Sequence, residues 1–404
     1  MASSNQGVAF RTPPKALASE QAQLNPFDWY AEMRREHPVR YDDQRGRWDV
    51  FKYEDVKQIV SDHETYASDV ASTDIRLVDR DFDTDRAPSM IRADPPAHGR
   101  LRNFVNSRFQ PGSIAEHRAR FEQIADDLLD DIDSGANVDI IDKFSHPYPV
   151  TIIADLLGLP RDDYDQFLTW SKAATELSLT GDEKAIESNK RRRARVQREM
   201  REYFSNLISE RATGSGDDLI TLAAMNDGLT HEEKISFCLT LLIAGNVTTV
   251  NLITNALWCF EENDLFDAVR TGAVSRTKVI EEVLRYRSPA QTVRRVTTKP
   301  VELGGRRIDA GELVLARVGS ANRDPARFDS PEEFRPERSP NPHIAFGGGI
   351  HFCLGAQLAR LEADIALEKL LDRFEVINPD LSDLSPQTFL YGVKSFPCRL
   401  ETGN

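Results

Sequence analysis

Cysteine is scarce in this chain. Only Cys238, Cys259, Cys353 and Cys398 occur, scattered and without a C-x-x-C pair. That excludes a disulfide-stapled scaffold and argues against a zinc ribbon or a redox dithiol. No run approaches the roughly 18 to 20 apolar residues that a membrane span takes. The longest apolar stretch, 237–257, is interrupted by Gly245, Asn246, Thr248, Thr249, Asn251, Thr254 and Asn255 and reads as a buried core helix. Residues 1–14 are polar, so no secretory signal is expected. A basic excess is missing too. The formal net charge is −14, and phosphate binding needs clustered Lys and Arg, so nucleic acid is not an expected partner. These absences are compatible with a cytoplasmic enzyme without a membrane anchor, and a monomer is expected.

What is present is enough for a sizeable core. Of the 404 residues, 40 % are hydrophobic and 29 % charged. Residues 38–51 read as a β-hairpin, turning at Asp43-Gln44-Arg45-Gly46. A helix begins at 54–61. The segment 68–94 is acidic and irregular, and a loop of that length in a compact domain is usually functional. From 97 to 207 apolar residues recur at spacings of three and four, as in Phe121, Ile124, Ala125, Leu128, Leu129 and Ile132. Lys190, Arg191, Arg192 and Arg193, with Glu187 and Glu199, read as a solvated helix face. Thr230-His231-Glu232-Glu233 is a capping box that opens the apolar helix. A helix at 276–286 stops before Ser288-Pro289. Short strands follow at 301–303, 307–308 and 313–316, then an irregular stretch at 321–342, a glycine-rich turn and a last helix over 354–374. The fold class expected is mainly α with a small β component. Residues 1–15 are expected to be disordered and 16–404 to form one domain.

The chemistry concentrates in Phe346-Gly347-Gly348-Gly349-Ile350-His351-Phe352-Cys353-Leu354-Gly355. Three glycines let backbone approach something flat or bulky. Cys353 then opens a helix, whose free N–H groups and partial positive charge stabilise a thiolate. Such a thiolate can be a nucleophile or a metal ligand. Cys238 and Cys259 lie on the apolar helix and read as core, and Cys398 lacks both a glycine approach and a following helix.

Phe-Gly-x-Gly-x-His-x-Cys-x-Gly resembles the haem-binding loop of the cytochrome P450 family. Further family elements in matching order extend the resemblance over nearly the whole chain. It implies a helix-rich triangular prism with short β-sheets, and haem b ligated by Cys353, with Phe346 and Gly355 in the cofactor loop. Glu282-Val283-Leu284-Arg285 resembles the family's Glu-x-x-Arg, whose spacing puts both side chains on one helix face. Arg338 matches the arginine that joins this pair from the meander, and Ala321-Asn322-Arg323-Asp324-Pro325 resembles the sequence leading into it. The implied role of Glu282, Arg285 and Arg338 is folding and haem retention.

By the same resemblance, His98, Arg102, Arg295 and His351 are the expected contacts to the two haem propionates, which need cationic or N–H donors when buried. Arg294 and Arg295 point to opposite faces of a regular strand, and spacing selects Arg295. Ala244-Gly245-Asn246-Val247-Thr248-Thr249 resembles the oxygen-binding bend of the central helix. Gly245 weakens the helix there, and Thr248 matches the hydroxyl that hydrogen-bonds dioxygen and helps deliver protons. Ile243, Val293 and Leu390 match positions that line the substrate pocket, as do 68–94, 290–293 and Phe389-Leu390-Tyr391.

The resemblance implies a monooxygenase that inserts one atom of O2 into a C–H bond of an apolar small molecule such as a terpenoid, steroid or fatty acid. Only about thirty residues follow the last helix, so no fused redox domain is expected. Electrons are then expected from NAD(P)H through an external ferredoxin and ferredoxin reductase. One position departs from the family pattern: Val247 stands where an acid usually precedes the threonine, and it cannot carry a proton. That motivates a peroxide-driven peroxygenase as the alternative, although Gly-x-x-Thr-Thr is kept where dedicated peroxygenases place Arg-Pro. A haem sensor or carrier without turnover is the reading from a different class.

Overall fold

A computed structural model describes residues 13–69, 89–175, 183–387 and 390–403. Most of the irregular stretch 68–94, the first twelve residues and Phe389 lie outside the described residues. Helix dominates. The helices of seven residues or more among the described residues are α1 (Phe27–Glu36), α2 (Tyr53–Ser61), α3 (Ala97–Asn103), α4 (Arg118–Asp130), α5 (Pro147–Leu157), α6 (Tyr164–Thr175), α7 (Glu183–Arg211), α8 (His231–Ala244), α9 (Val247–Asn263), α10 (Arg276–Tyr286) and α11 (Ala356–Arg373).

The strands are short: β1 (Val39–Asp42), β2 (Arg47–Val50), β3 (Tyr66–Ala67), β4 (Asn137–Asp139), β5 (Val293–Thr297), β6 (Val301–Leu303), β7 (Arg306–Ile308), β8 (Leu313–Ala316), β9 (Val376–Pro379) and β10 (Pro397–Glu401). They form a five-stranded sheet in the order β1-β2-β8-β5-β3, a three-stranded sheet β4-β10-β9 and the hairpin β6-β7. The expected hairpin at 38–51 is β1-β2, in register Val39 to Val50. The strands β3, β4, β9 and β10 carried no turn-bounded apolar run and were not anticipated. They are made by pairing with distant strands, β3 on β5 and β10 on both β4 and β9.

The main core runs through α4, α5, α8, α9, α10 and α11. In α10, Val279, Ile280, Val283 and Leu284 are buried, one apolar stripe at helical spacing. In α11, Leu358, Ile365, Ala366 and Leu370 are buried on the same principle. Each fully buried Leu, Ile or Phe contributes roughly 1.5–3 kcal/mol, so this contiguous stripe packing holds α11 in place against α4, α9 and α10. A second core, with Val50, Val56, Ile59 and Val314, joins α2 to the large sheet.

Two expectations are corrected. The apolar stretch is not one helix, because it divides into α8 and α9 at Gly245 and Asn246. Together α8 and α9 are also long and apolar enough by composition to cross a membrane, more than the interrupted sequence suggested, yet most of that surface is buried inside the protein. The last helix begins at Ala356 with Gly355 as its N-cap, two residues later than expected.

Thr230 caps α8 as its sequence signature requires. The Glu233 amide donates to Thr230 Oγ1 at 3.3 Å, and the Thr230 amide donates to Glu233 Oε2 at 2.8 Å. Thr230→Ala is therefore expected to lower stability by about 1 kcal/mol, read as a shift of the urea midpoint at unchanged slope.

Candidate active site

The loop before α11 is shaped by its glycines. Gly347 and Gly349 have φ of +72° and +61°, a region that favours residues without Cβ. A Cβ on Gly349 would also meet Ser61 O at 2.8 Å, so the loop lies directly on the end of α2. The Cys353 amide donates to Phe346 O at 2.9 Å and closes the loop. Cys353 is exposed, whereas Cys238, Cys259 and Cys398 are buried. The thiol is nonetheless surrounded by protein on most sides, and that desolvation raises its pKa. The Gly355 amide, Arg102 and Arg360 pull the other way without cancelling it. The sequence placed Cys353 on a helix terminus that lowers its pKa. In the structure the thiol precedes the helix, and burial outweighs the local donors.

Two carboxylates hold this loop from behind. Glu282 and Arg285 are fully buried. Arg285 donates from Nη2 to Glu282 Oε1 at 2.7 Å and from Nε to Oε2 at 2.8 Å. Its remaining donors reach Asn322 O, Pro331 O and Glu333 O. Arg338 Nε approaches both Glu282 oxygens at 3.2 Å, and its Nη1 donates to Asp329 O at 2.6 Å. The Arg335 amide and Asn341 Nδ2 complete the Glu282 shell. The three residues that resemblance grouped are thus brought together.

The adjacent Glu281 makes a clamp that sequence reasoning missed. It binds Arg360 of α11 at 2.6 and 2.9 Å, and His343 Nε2 at 3.0 Å. Arg360 also stacks over the Phe346 ring at 4.5 Å. Against burial, which acts in the other direction, Arg360 and His343 hold Glu281 down at about 2. No sequence signal marks this pair, since Glu281 and Arg360 are 79 positions apart.

At the edge of the loop the structure gathers His98, Arg295 and His351 around Asp94. The rings of His98 and His351 lie 4.4 Å apart, edge to face. His351 Nε2 is 3.8 Å from Asp94 Oδ1, outside hydrogen-bond range, and His98 Nε2 is buried without a hydrogen-bond partner. Burial, then Arg295 and His98, push His351 down to about 4. Burial lowers Arg295 to about 10 although Asp94 opposes it. Arg102 donates to Ile350 O at 3.2 Å and feels Cys353 electrostatically. Arg295 is buried here and Asp94 partly so, beside two imidazoles that burial keeps from charging, and two imidazole nitrogens lack hydrogen-bond partners. A flat group carrying two carboxylates suits that donor set, so haem fits the residues present.

On the central helix, Ala244 is exposed while its neighbours Leu241, Leu242 and Asn246 are buried. Ile243, Val247 and Thr248 beside it in sequence are partly exposed, and so are Val293 and Leu390 elsewhere in the chain. Thr248 Oγ1 donates to Ala244 O at 3.3 Å. Gly245 fits closely, since a Cβ there would meet Leu241 O at 2.6 Å and Ile153 Cδ1 at 2.9 Å. Asn246 is fully buried and donates from Nδ2 to Leu242 O at 2.6 Å. One further residue escaped the sequence reading. Glu362 of α11 is fully buried, and its signal was an acid inside the apolar stripe of Leu358, Ile365 and Ala366.

Residues 276–395 match the family model for cytochrome P450. The chain is 38 % identical over 397 residues to cytochrome P450 109 of Bacillus spizizenii, covering 96 % of this chain and 95 % of that one. It is 37 % identical to the erythromycin C-12 hydroxylase of Saccharopolyspora erythraea, with 91 % of each covered. Among solved structures, CYP109E1 of Bacillus megaterium in complex with testosterone superposes with a TM-score of 0.84 at 38 % identity, over 94 % of this chain and 99 % of that one.

Arg285→Lys keeps the charge but loses the fork to Glu282 and to three carbonyls. Breaking one side of a buried pair costs about 3–5 kcal/mol, so the variant is expected to purify without haem absorbance. Glu281 has a folded-state pKa of about 2, below its unfolded value. Its contribution is therefore complete above the ordinary carboxylate range and lost as pH falls toward 2. Acid titration of stability should show a shallower slope in that window for Glu281→Gln than for the parent chain.

Proposed function

The chain belongs to the cytochrome P450 family, and from that membership we propose that it hydroxylates apolar small molecules of steroid, terpenoid or fatty-acid type. Family membership makes it a haem-containing oxidoreductase of the monooxygenase kind. Bound through the Cys353 thiolate, haem supplies the activation of dioxygen and the insertion of one oxygen atom into a C–H bond. The rest is work for the chain's own residues.

Cys353 would hold the haem iron in this reading. The observation that carries it is the exposed thiol, set deep in the fold in a loop locked by Glu282, Arg285 and Arg338. Phe346 and Gly355 flank the ligand. His98, Arg102, Arg295 and His351 receive the propionates, which supply the anionic partners that buried cations need. Thr248 and Ala244 would line the pocket from the central helix, where the Thr248 hydroxyl holds a hydrogen bond that it can redirect from the Ala244 carbonyl. Gly245 places that turn through its close fit to Ile153. Substrate lies against Ile243, Val293 and Leu390. Such a wall offers burial and few hydrogen bonds, which suits an apolar ligand. The relatives named above support this class, one by its hydroxylase activity on a macrolide and one by its complex with testosterone. Electrons come from NAD(P)H through a separate ferredoxin and ferredoxin reductase.

The test is spectral and then catalytic. The reduced carbon monoxide complex of the parent chain should show the absorbance of thiolate ligation, and Cys353→Ser should lose it. Steroids, terpenoids and fatty acids are then screened for a shift of the ferric haem to high spin, and binders are incubated with ferredoxin, reductase and NAD(P)H. Hydroxylated product from that system supports the reading. Product only with hydrogen peroxide would replace it with a peroxygenase.

A further inference from the structure

A cleft of about 440 Å3 lies beside the β1-β2 hairpin, lined by His37, Arg40, Tyr41, Trp48 and Arg306. Small-molecule sites are commonly of this size. None of these residues belongs to the Cys353 loop, the central helix or the Asp94 edge. Tyr41 and Trp48 face each other across the two strands, with ring centroids 5.3 Å apart at 58°. Trp48 rests on the second core and is partly exposed, and Tyr41 is 42 % exposed. The β6-β7 hairpin closes the base of the cleft, where a Cβ on Gly304 would meet Val39 Cγ2 at 2.6 Å. That hairpin brings Arg306 to the wall.

The chain carries a formal net charge of −14, yet among the described residues this lining holds three basic side chains and no carboxylate. The nearby acids are engaged elsewhere. Asp42 Oδ2 is 3.5 Å from Arg40 Nη2, but the same oxygen accepts from Arg45 Nε at 2.7 Å. Glu36 accepts from Arg35 at 2.7 Å, and Asp309 is taken by Arg307 at 3.0 Å. Arg40 Nη1 meets the Met33 thioether at 3.4 Å, a weak acceptor. Arg306 is exposed and makes no ion pair among the described residues. The Trp48 indole N–H is buried without a hydrogen-bond partner, although a buried indole usually finds one. This wall is therefore short of acceptors. Burial, then Glu312 and Asp43, raise the pKa of the Tyr41 hydroxyl, so it stays a donor. Those two acids also repel an anion from the hairpin turn and direct it toward Arg40 and Arg306. Exposed guanidinium groups alone hold an anion weakly. A ring laid on Trp48 and Tyr41 adds apolar burial.

We propose that this cleft is a binding site for a planar aromatic anion, either an aryl carboxylate or an aromatic phosphate ester such as a nucleoside monophosphate. The ring of the ligand lies against Trp48 and Tyr41. Its anionic group is held by Arg40 and Arg306, with His37 at the rim. The site is separate from the pocket of the monooxygenase reading and does not depend on that reading.

The test uses the haem-loaded protein with an azole bound at the iron, which keeps other ligands out of that pocket. The probes are 2-naphthoate and adenosine monophosphate. Equilibrium dialysis should find one site per chain for at least one of them, and the tighter of the two tells carboxylate from phosphate ester. The uncharged 2-naphthylmethanol and inorganic phosphate, which lacks a ring, should each bind about tenfold more weakly. Binding should quench tryptophan fluorescence, and Trp48→Phe should lose most of that quench. Arg306→Ser and Arg40→Gln should each weaken binding about three- to fivefold, with the haem spectrum unchanged, and added salt should weaken it further. Binding of neither probe, equal binding of the uncharged alcohol, or undiminished affinity in the double variant would overturn the proposal. Binding seen only without the azole would place the probe in the haem pocket and overturn it as well.

Discussion

Glu282 is a carboxylate with no access to water, and the proximal half of the molecule is arranged around that fact. A buried charge is tolerated only when it is paired and fully hydrogen-bonded. Arg285 and Arg338 supply the charge, and Arg335 N with Asn341 Nδ2 take up the remaining oxygen capacity. Because both arginines also bind carbonyls between 322 and 333, one carboxylate ties α10 to the irregular meander. The meander leads into the glycine loop. Removing one partner leaves several groups unsatisfied at once, so the element behaves as a lock rather than as an additive set of bonds.

Glu281, the next residue, extends the lock to the other end of the loop. It reaches Arg360 on α11 and His343 just before the glycines. Cys353 therefore sits in a loop fixed on both flanks and pressed on Ser61 from above. This matters because the thiol gets little help from its own surroundings. Burial disfavours the thiolate, and the Gly355 amide, Arg102 and Arg360 offset that only in part. In the proposed ligation, loop geometry rather than a lowered pKa is what presents the thiol.

The opposite edge is built on the complementary deficit. Around Asp94, two imidazoles and a guanidinium are buried, and the two imidazole Nε2 atoms lack hydrogen-bond partners. A dianionic cofactor edge would correct that deficit. Across the pocket, the break at Gly245 and Asn246 turns Ala244 outward and leaves Thr248 with one long bond to a helix carbonyl. Proximal rigidity and distal looseness follow from how completely each region's polar groups are satisfied.

The residues of the glycine loop, the Glu282–Arg285 spacing, the Thr230 cap and the helical character of α10 and α11 were legible in the sequence, because each is set by local spacing or local backbone preference. Arg338, His98, Arg295 and Thr248 could be named only through resemblance, since nothing local distinguishes them from surface residues. Tertiary structure alone decided the rest. Glu281 meets Arg360 across 79 positions, β10 becomes a strand only by pairing with β4 and β9, and Glu362 is isolated only once α5 and α9 close over it. The thiol pKa of Cys353 also turned on burial that no ten-residue window contains. Local chemistry chose which groups this chain carries, whereas desolvation and long-range pairing, which exist only in the folded state, decided what those groups can do.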